Sequence, residues 1–111
     1  MKRWIALAAL AASPLLTYPL DAWAQQALNE TQLAGMALFN QHCRVCHTKP
    51  QLASPLYGPA LSQKSLNGQD VMMKNVITNG SPRMPAFKYT FAPAQIDTIV
   101  AYLKTVPAPT P

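Results

Sequence analysis

Residues 43 to 47 read Cys43-Arg44-Val45-Cys46-His47, the pattern C-x-x-C-H. Both cysteines of the chain and one of its two histidines fall within these five positions. This spacing suits covalent attachment of a c-type haem. The two thiols form thioether bonds to the haem vinyl groups, and the imidazole that follows lies under the iron as its proximal ligand. A covalently fixed redox iron implies electron transfer rather than hydrolysis or nucleic-acid binding. Other chemistries fit the five residues less well. A thioredoxin-like dithiol expects a βαβ context and leaves the histidine unexplained. A zinc site would have to take His42, Cys43, Cys46 and His47 from six consecutive residues, whereas zinc sites join two separated ligand pairs. A plain disulfide over so short a loop would constrain little of the unfolded chain.

An iron that carries electrons with little change of geometry needs a second axial ligand, which Met or His can supply. His42 abuts the motif and is poorly placed to reach the other haem face. Met36, Met72, Met73 and Met84 remain beyond the leader. The first three fall on predicted helices, where Met commonly fills core. Met84 lies in the loop Ser81-Pro82-Arg83-Met84-Pro85-Ala86-Phe87, stiffened by Pro82 and Pro85. It is the best placed of the four, with Met72 or Met73, or no second protein ligand, as the alternatives.

The elements that must position these residues are helices separated by Pro-rich loops. No stretch sustains a period-two alternation. Asn29 and Gln32 have the spacing of a capping box, with Leu28 and Leu33 as a hydrophobic staple. The first helix is expected to run to about Gln41 and deliver Cys43 at its end. Gly35 inside it suggests close approach of another backbone, since it costs about 1 kcal/mol of helix propensity against Ala. Residues 48–66 form a long loop holding Pro50, Pro55, Gly58 and Pro59. A second helix is expected from an Asn67 cap, with Leu66 and Val71 as its staple, to Asn79-Gly80 in an αL ending. A third starts near Pro93, and Ile96, Ile99, Val100 and Leu103 repeat at i, i+3, i+4 and i+7. Residues 107–111, Pro-Ala-Pro-Thr-Pro, read as a flexible tail.

The first 24 residues read as a signal peptide. Lys2 and Arg3 form the basic n-region, Trp4 to Leu16 the apolar core, and Ala22-Trp23-Ala24 the cleavage site. The apolar run is interrupted by Pro14 and Pro19 and is short of the roughly 20 residues of a membrane span. The expected mature chain, residues 25–111, is periplasmic, without a membrane anchor, and monomeric. It keeps seven basic and three acidic side chains, a net charge of +4. Those charges are scattered, unlike the clustered footprint of a nucleic-acid binder. A small cation of this kind is steered toward acidic partner faces.

From about Leu33 to Val106 the chain resembles the class I c-type cytochromes. Gly35 and Phe39 precede Cys43 by eight and four positions, as in that family, where they pack on the last helix. Ile99 and Tyr102 look like the matching contacts. The resemblance implies an all-α fold: three main helices and Pro-rich loops wrapped around one covalently bound haem c. It implies that Pro59, in Tyr57-Gly58-Pro59-Ala60-Leu61, offers its carbonyl to the proximal His47, that Leu61 touches the haem face, and that Met84 is the ligand of a Met-Pro loop. The expected cofactor set is then Cys43, Cys46, His47, Pro59, Leu61 and Met84, with His47 and Met84 on the metal. Met84 follows His47 by 37 positions, a shorter span than in mitochondrial members. That implies a reduced loop at the lower haem edge and a more exposed propionate.

The function expected from these readings is a soluble periplasmic electron carrier, not an enzyme. A periplasmic dehydrogenase would be its donor and an oxidase or another cytochrome its acceptor. The Met-Pro-Ala-Phe loop and the Val-Ala-Tyr-Leu-Lys ending look like small cytochromes that serve quinoprotein alcohol dehydrogenases. Arg44, Lys49, Arg83 and Lys88 lie on segments expected to ring the exposed haem edge. A peroxidase-like or gas-binding protein is the rival from another class. It needs distal acid–base groups, and beyond His47 the mature chain offers only His42, Glu30, Asp70 and Asp97. A dedicated cytochrome subunit of one dehydrogenase is the other rival.

Overall fold

A computed structural model describes residues 27–47 and 58–108. The expected signal peptide, residues 48–57 with Lys49, and the last three residues of the tail lie outside the described residues. Helices dominate, and the described residues form no strand beyond one isolated bridge between Ser81 and Met84. The all-α expectation holds. Among the described residues no helix is long and apolar enough to cross a membrane.

Helix α1 spans Glu30–Leu38. Its capping box closes as expected: Gln32 N–H donates to Asn29 Oδ1 at 2.9 Å, and Asn29 N–H donates to Gln32 Oε1 at 3.0 Å. Leu33 stays 45% exposed, so the start rests on this polar box rather than on a Leu28–Leu33 staple. The helix does not end near Gln41. It winds on through one π-helical turn, Phe39–Cys43, into α2, Arg44–His47. No Gly or Pro intervenes between Gly35 and Pro50 to stop it. The π turn inserts one residue, which turns everything after it by roughly 100° about the axis.

Helix α3 spans Asp70–Asn79. The expected Asn67 cap is not formed. Leu66, Asn67 and Gly68 all take left-handed φ values of 49°, 57° and 70°, and Gln69 precedes the helix without a side-chain cap. Asn tolerates the left-handed region as readily as it caps, and here the turn wins. The supposed staple fails with it, since Leu66 and Val71 are 41% and 79% exposed. The helix does stop at Gly80, but with φ 72° and ψ −169° rather than in an αL ending.

Helix α4, Pro93–Leu103, opens with Pro93 at its first position. The Ala92 N–H donates to Gln95 Oε1 at 2.9 Å. Its apolar stripe is the core as read: Ile96, Ile99, Val100 and Leu103 are all 3% exposed or less. Met73 and Ile77 of α3, and Phe91 ahead of α4, complete it. On the surface Lys74 bridges to Asp97 at 2.8 Å and Lys104 to Asp70 at 2.9 Å, joining α3 to α4. The bond to Asp97 raises the Lys74 ammonium above the usual lysine range, and exposed pairs of this kind add little stability.

Helix α1 crosses α4 backbone to backbone. A Cβ added at Gly35 would run into the Thr98 carbonyl, with Ile99 N 3.0 Å away. Beside the crossing, the Phe39 and Tyr102 rings meet at 5.5 Å with a 52° tilt. Gly35→Ala gains about 1 kcal/mol of helix propensity but must push the two helices apart, an overpacking cost of typically 1–3 kcal/mol. The expected outcome is a net loss, read as a fall of several degrees in the thermal midpoint of the holoprotein. A raised midpoint would mean that propensity outweighs the crossing.

Candidate functional site

The motif lands on one helical face. Cys43 closes the π turn and Cys46 and His47 lie on α2, so the three stand at i, i+3 and i+4, the spacing that brings side chains together on one helical face. Cys43 is buried and Cys46 exposed, His47 is half-buried, and all three line one cavity of about 750 Å³. That volume lies within the roughly 300–1,000 Å³ of small-molecule and cofactor sites. The wall is mainly apolar and includes Leu61, Leu66, Met73, Ile77, Ile99 and Leu103. Leu61, which the resemblance implies as a haem-face contact, is half-buried on this wall and packed against the core.

The segment from Gly58 to Leu61 straps the histidine. His47 Nδ1 donates to the Pro59 carbonyl at 2.7 Å. A carbonyl can only accept, so this bond puts the proton on Nδ1 and leaves Nε2 with its lone pair. The Gly58 N–H donates to the Cys46 carbonyl at 2.8 Å, pinning the strap to α2. A Cβ at Gly58 would stand 2.6 Å from His47 Cε1 and 2.8 Å from Nδ1. Gly58 thus lies against the imidazole, a role its place in a Gly-Pro pair hints at but does not specify.

Met84 lines the same cavity. It is half-buried and packs against the core beside Phe87. A smaller pocket of about 140 Å³ also brings Met84 together with Cys43, Cys46 and His47. The other methionines separate clearly. Met72 is 45% exposed and Met36 half-buried on α1, and neither lines either cavity. Met73 reaches the wall but is 3% exposed as part of the core. His42 stays at the rim, its ring edge-on to Phe91 at 4.9 Å.

The donor set fits a covalent haem better than its rivals. The cysteines are not joined to each other. Burial, reinforced by the neighbouring Cys46, pushes the Cys43 thiol up to about 11. A thioredoxin-like dithiol needs the reverse shift to form its thiolate. Among the described residues no three His, Cys, Asp or Glu side chains converge as a metal-holding group, so the four-ligand zinc reading has no geometry. Two thiols, one imidazole with a free Nε2 and a thioether around an apolar cavity are instead the groups that tether and ligate a haem. Of the cations expected to ring its edge, Arg44, Arg83 and Lys88 are exposed, and Arg83 reaches the cavity wall together with Lys64.

Residues 30–103 match the family model described as cytochrome c oxidase, cbb3-type, subunit III. The chain is also 33% identical over 97 residues to the 4-cresol dehydrogenase (hydroxylating) cytochrome c subunit of Pseudomonas putida, covering 86% of this chain and 80% of that one. With the attachment motif, the strapped histidine and the apolar cavity now joined to these likenesses, the chain belongs to the c-type cytochromes and is an electron-carrying protein with covalently bound haem c.

Proposed function

We propose that this cytochrome is exported to the periplasm, is ligated by His47 and Met84, and takes electrons from a dehydrogenase that holds it as a cytochrome subunit. The observation that carries the ligand assignment is the convergence of Cys43, Cys46, His47 and Met84 on one cavity. The choice of donor is supported by the name of the Pseudomonas putida relative and by the short strings that look like dehydrogenase-linked cytochromes. That name also favours a dedicated subunit over a carrier exchanged among many partners. Export rests on the leader read at residues 1–24.

When bound, the haem supplies an iron that cycles between Fe(II) and Fe(III) and so passes single electrons. The chain's residues set the conditions. Cys43 and Cys46 make the attachment irreversible. The Pro59 carbonyl orients His47 and makes its Nε2 a stronger donor. Leu61, Met73, Ile77, Ile99 and Leu103 give the cavity an apolar wall, and an apolar surround disfavours the more highly charged oxidised state. Met84 in place of a second histidine raises the potential further.

Met84→Ala is the direct test of the ligand assignment. The oxidised variant should lose the near-infrared charge-transfer band of Met–Fe(III) ligation and bind cyanide or carbon monoxide readily, with haem still covalently attached. Persistence of the band would move the sulfur ligand to Met73 or Met72. An open site in the parent protein, read as a high-spin spectrum that shifts at once with either ligand, would instead favour the peroxidase-like rival.

Gly58→Ala tests the strap. Its Cβ must displace either the ring or Pro59, weakening the bond to Nδ1 and with it the donor strength of His47. The reduction potential should rise by roughly 20–60 mV, the one-electron equivalent of losing a hydrogen bond of 0.5–1.5 kcal/mol. A potential unchanged from the parent would mean that the strap does not tune the imidazole.

Donor choice is tested in solution. The protein should co-purify with its dehydrogenase near 0.15 M salt, where the Debye length is about 8 Å. Replacing Arg44, Arg83 and Lys88 with Ala should slow association and flatten its dependence on ionic strength. Salt-independent electron transfer in the parent would exclude steering by these cations.

A further inference from the structure

Met84 sits in a loop that its two prolines do not by themselves hold. Ser81 and Met84 bond to each other in both directions: Ser81 N–H donates to Met84 O at 2.9 Å, and Met84 N–H donates to Ser81 O at 3.1 Å. The loop's exit is then stitched to the end of α3. Phe87 N–H donates to Ile77 O at 3.0 Å, and Lys88 N–H to Thr78 O at 3.2 Å. Met84 is thus fixed at its own backbone and again three and four residues later.

Gly80 is the residue on which this closed loop turns. Its φ of 72° and ψ of −169° lie in a region open essentially to glycine alone. Even Asn, which tolerates αL, does not belong there. Space is the second and independent constraint. A Cβ at Gly80 would stand 2.5 Å from the Met84 carbonyl oxygen and 2.8 Å from both Ala86 N and Pro85 C. All three obstructing atoms are backbone atoms of the Met84 loop, so no side chain can swing away to relieve the contact.

We infer that Gly80 and the Ser81–Met84 bridge form a backbone clamp that positions the Met84 thioether, and that this clamp, more than the flanking prolines, sets how firmly the sulfur is held. The inference rests on the assignment of Met84 as axial ligand. Gly80 and Ser81 act through the Met84 backbone; they are positioning residues. A thioether is a weak, neutral ligand, so the fraction of molecules with the sulfur displaced depends on how much freedom its backbone has. An added ligand that needs the vacated position binds in proportion to that fraction.

Imidazole binding to the oxidised holoprotein measures it. Gly80→Ala should raise the apparent affinity for imidazole by about fivefold or more, the equilibrium factor that strain of this type corresponds to at its lower end. The Met–Fe(III) band should weaken in parallel, while covalent haem content and helical circular dichroism stay close to the parent's. Ser81→Pro, which deletes the Ser81 N–H at an exposed position, should act in the same direction. It carries the test alone if Gly80→Ala does not accumulate as holoprotein. Pro82→Ala leaves both bridge bonds in place and should change imidazole affinity less than either.

Parent-like imidazole affinity and band intensity in Gly80→Ala and Ser81→Pro would overturn the clamp, as would a larger effect from Pro82→Ala. Met84→Ala separates the two levels of the argument. If it keeps the band, the ligand assignment itself fails. If it loses the band while both clamp variants keep theirs, the assignment stands and only the clamp falls.

Discussion

The crossing of α1 on α4 at Gly35 governs where everything else can be. Backbone meets backbone there, since the Thr98 carbonyl occupies the place a Cβ would take. So close an approach brings Phe39 onto Tyr102 and leaves Ile99 fully buried. It also fixes the axis along which the chain travels to the attachment motif. The π turn at Phe39–Cys43 then supplies the rotation that a straight α-helix would lack. Cys43, Cys46 and His47 end on the cavity wall, while the turn before them remains engaged with α4. A looser crossing would move the motif relative to Ile99 and Leu103, which line that same cavity.

Much of this was legible in residue types. The four apolar positions of α4 lie at helical spacing, and all four are buried. Asn29 with Gln32 closes a capping box, and the glycine at 35 stands where a second helix arrives. The bond from His47 to Pro59 followed from family resemblance. What escaped the sequence has a common physical cause: it depends on backbone geometry that no side-chain pattern encodes. Asn67 is as good a left-handed residue as a helix cap, and only the neighbouring φ values decide between them. The π turn leaves the apolar periodicity unbroken over its five residues. Gly58 and Gly80 look like ordinary loop glycines until the atoms opposite their missing Cβ are known.

The two glycines reveal a shared construction. On the histidine side a backbone carbonyl, that of Pro59, selects the tautomer, and Gly58 lets the strap lie against the ring. On the methionine side a pair of backbone bonds sets the loop, and Gly80 lets it close. Electron transfer favours this economy of movement. A site that must accept either oxidation state with little rearrangement is best held by groups that do not themselves titrate, and backbone amides meet that requirement across the physiological pH range.

Positioning by backbone has a further consequence for the residues in between. Arg44 and Val45 separate the two cysteines yet remain exposed, Val45 at 71%. Pro82 and Arg83 separate Ser81 from Met84 and are exposed as well. The hydrogen bonds around the motif and the Met84 loop run through Cys46, Pro59, Ser81 and Met84 main-chain atoms, not through these four side chains. Arg44 and Pro82 line neither cavity, while Val45 and Arg83 reach the cavity walls. The side chains of Arg44 and Pro82 can therefore vary without breaking the backbone bonds around His47 and Met84.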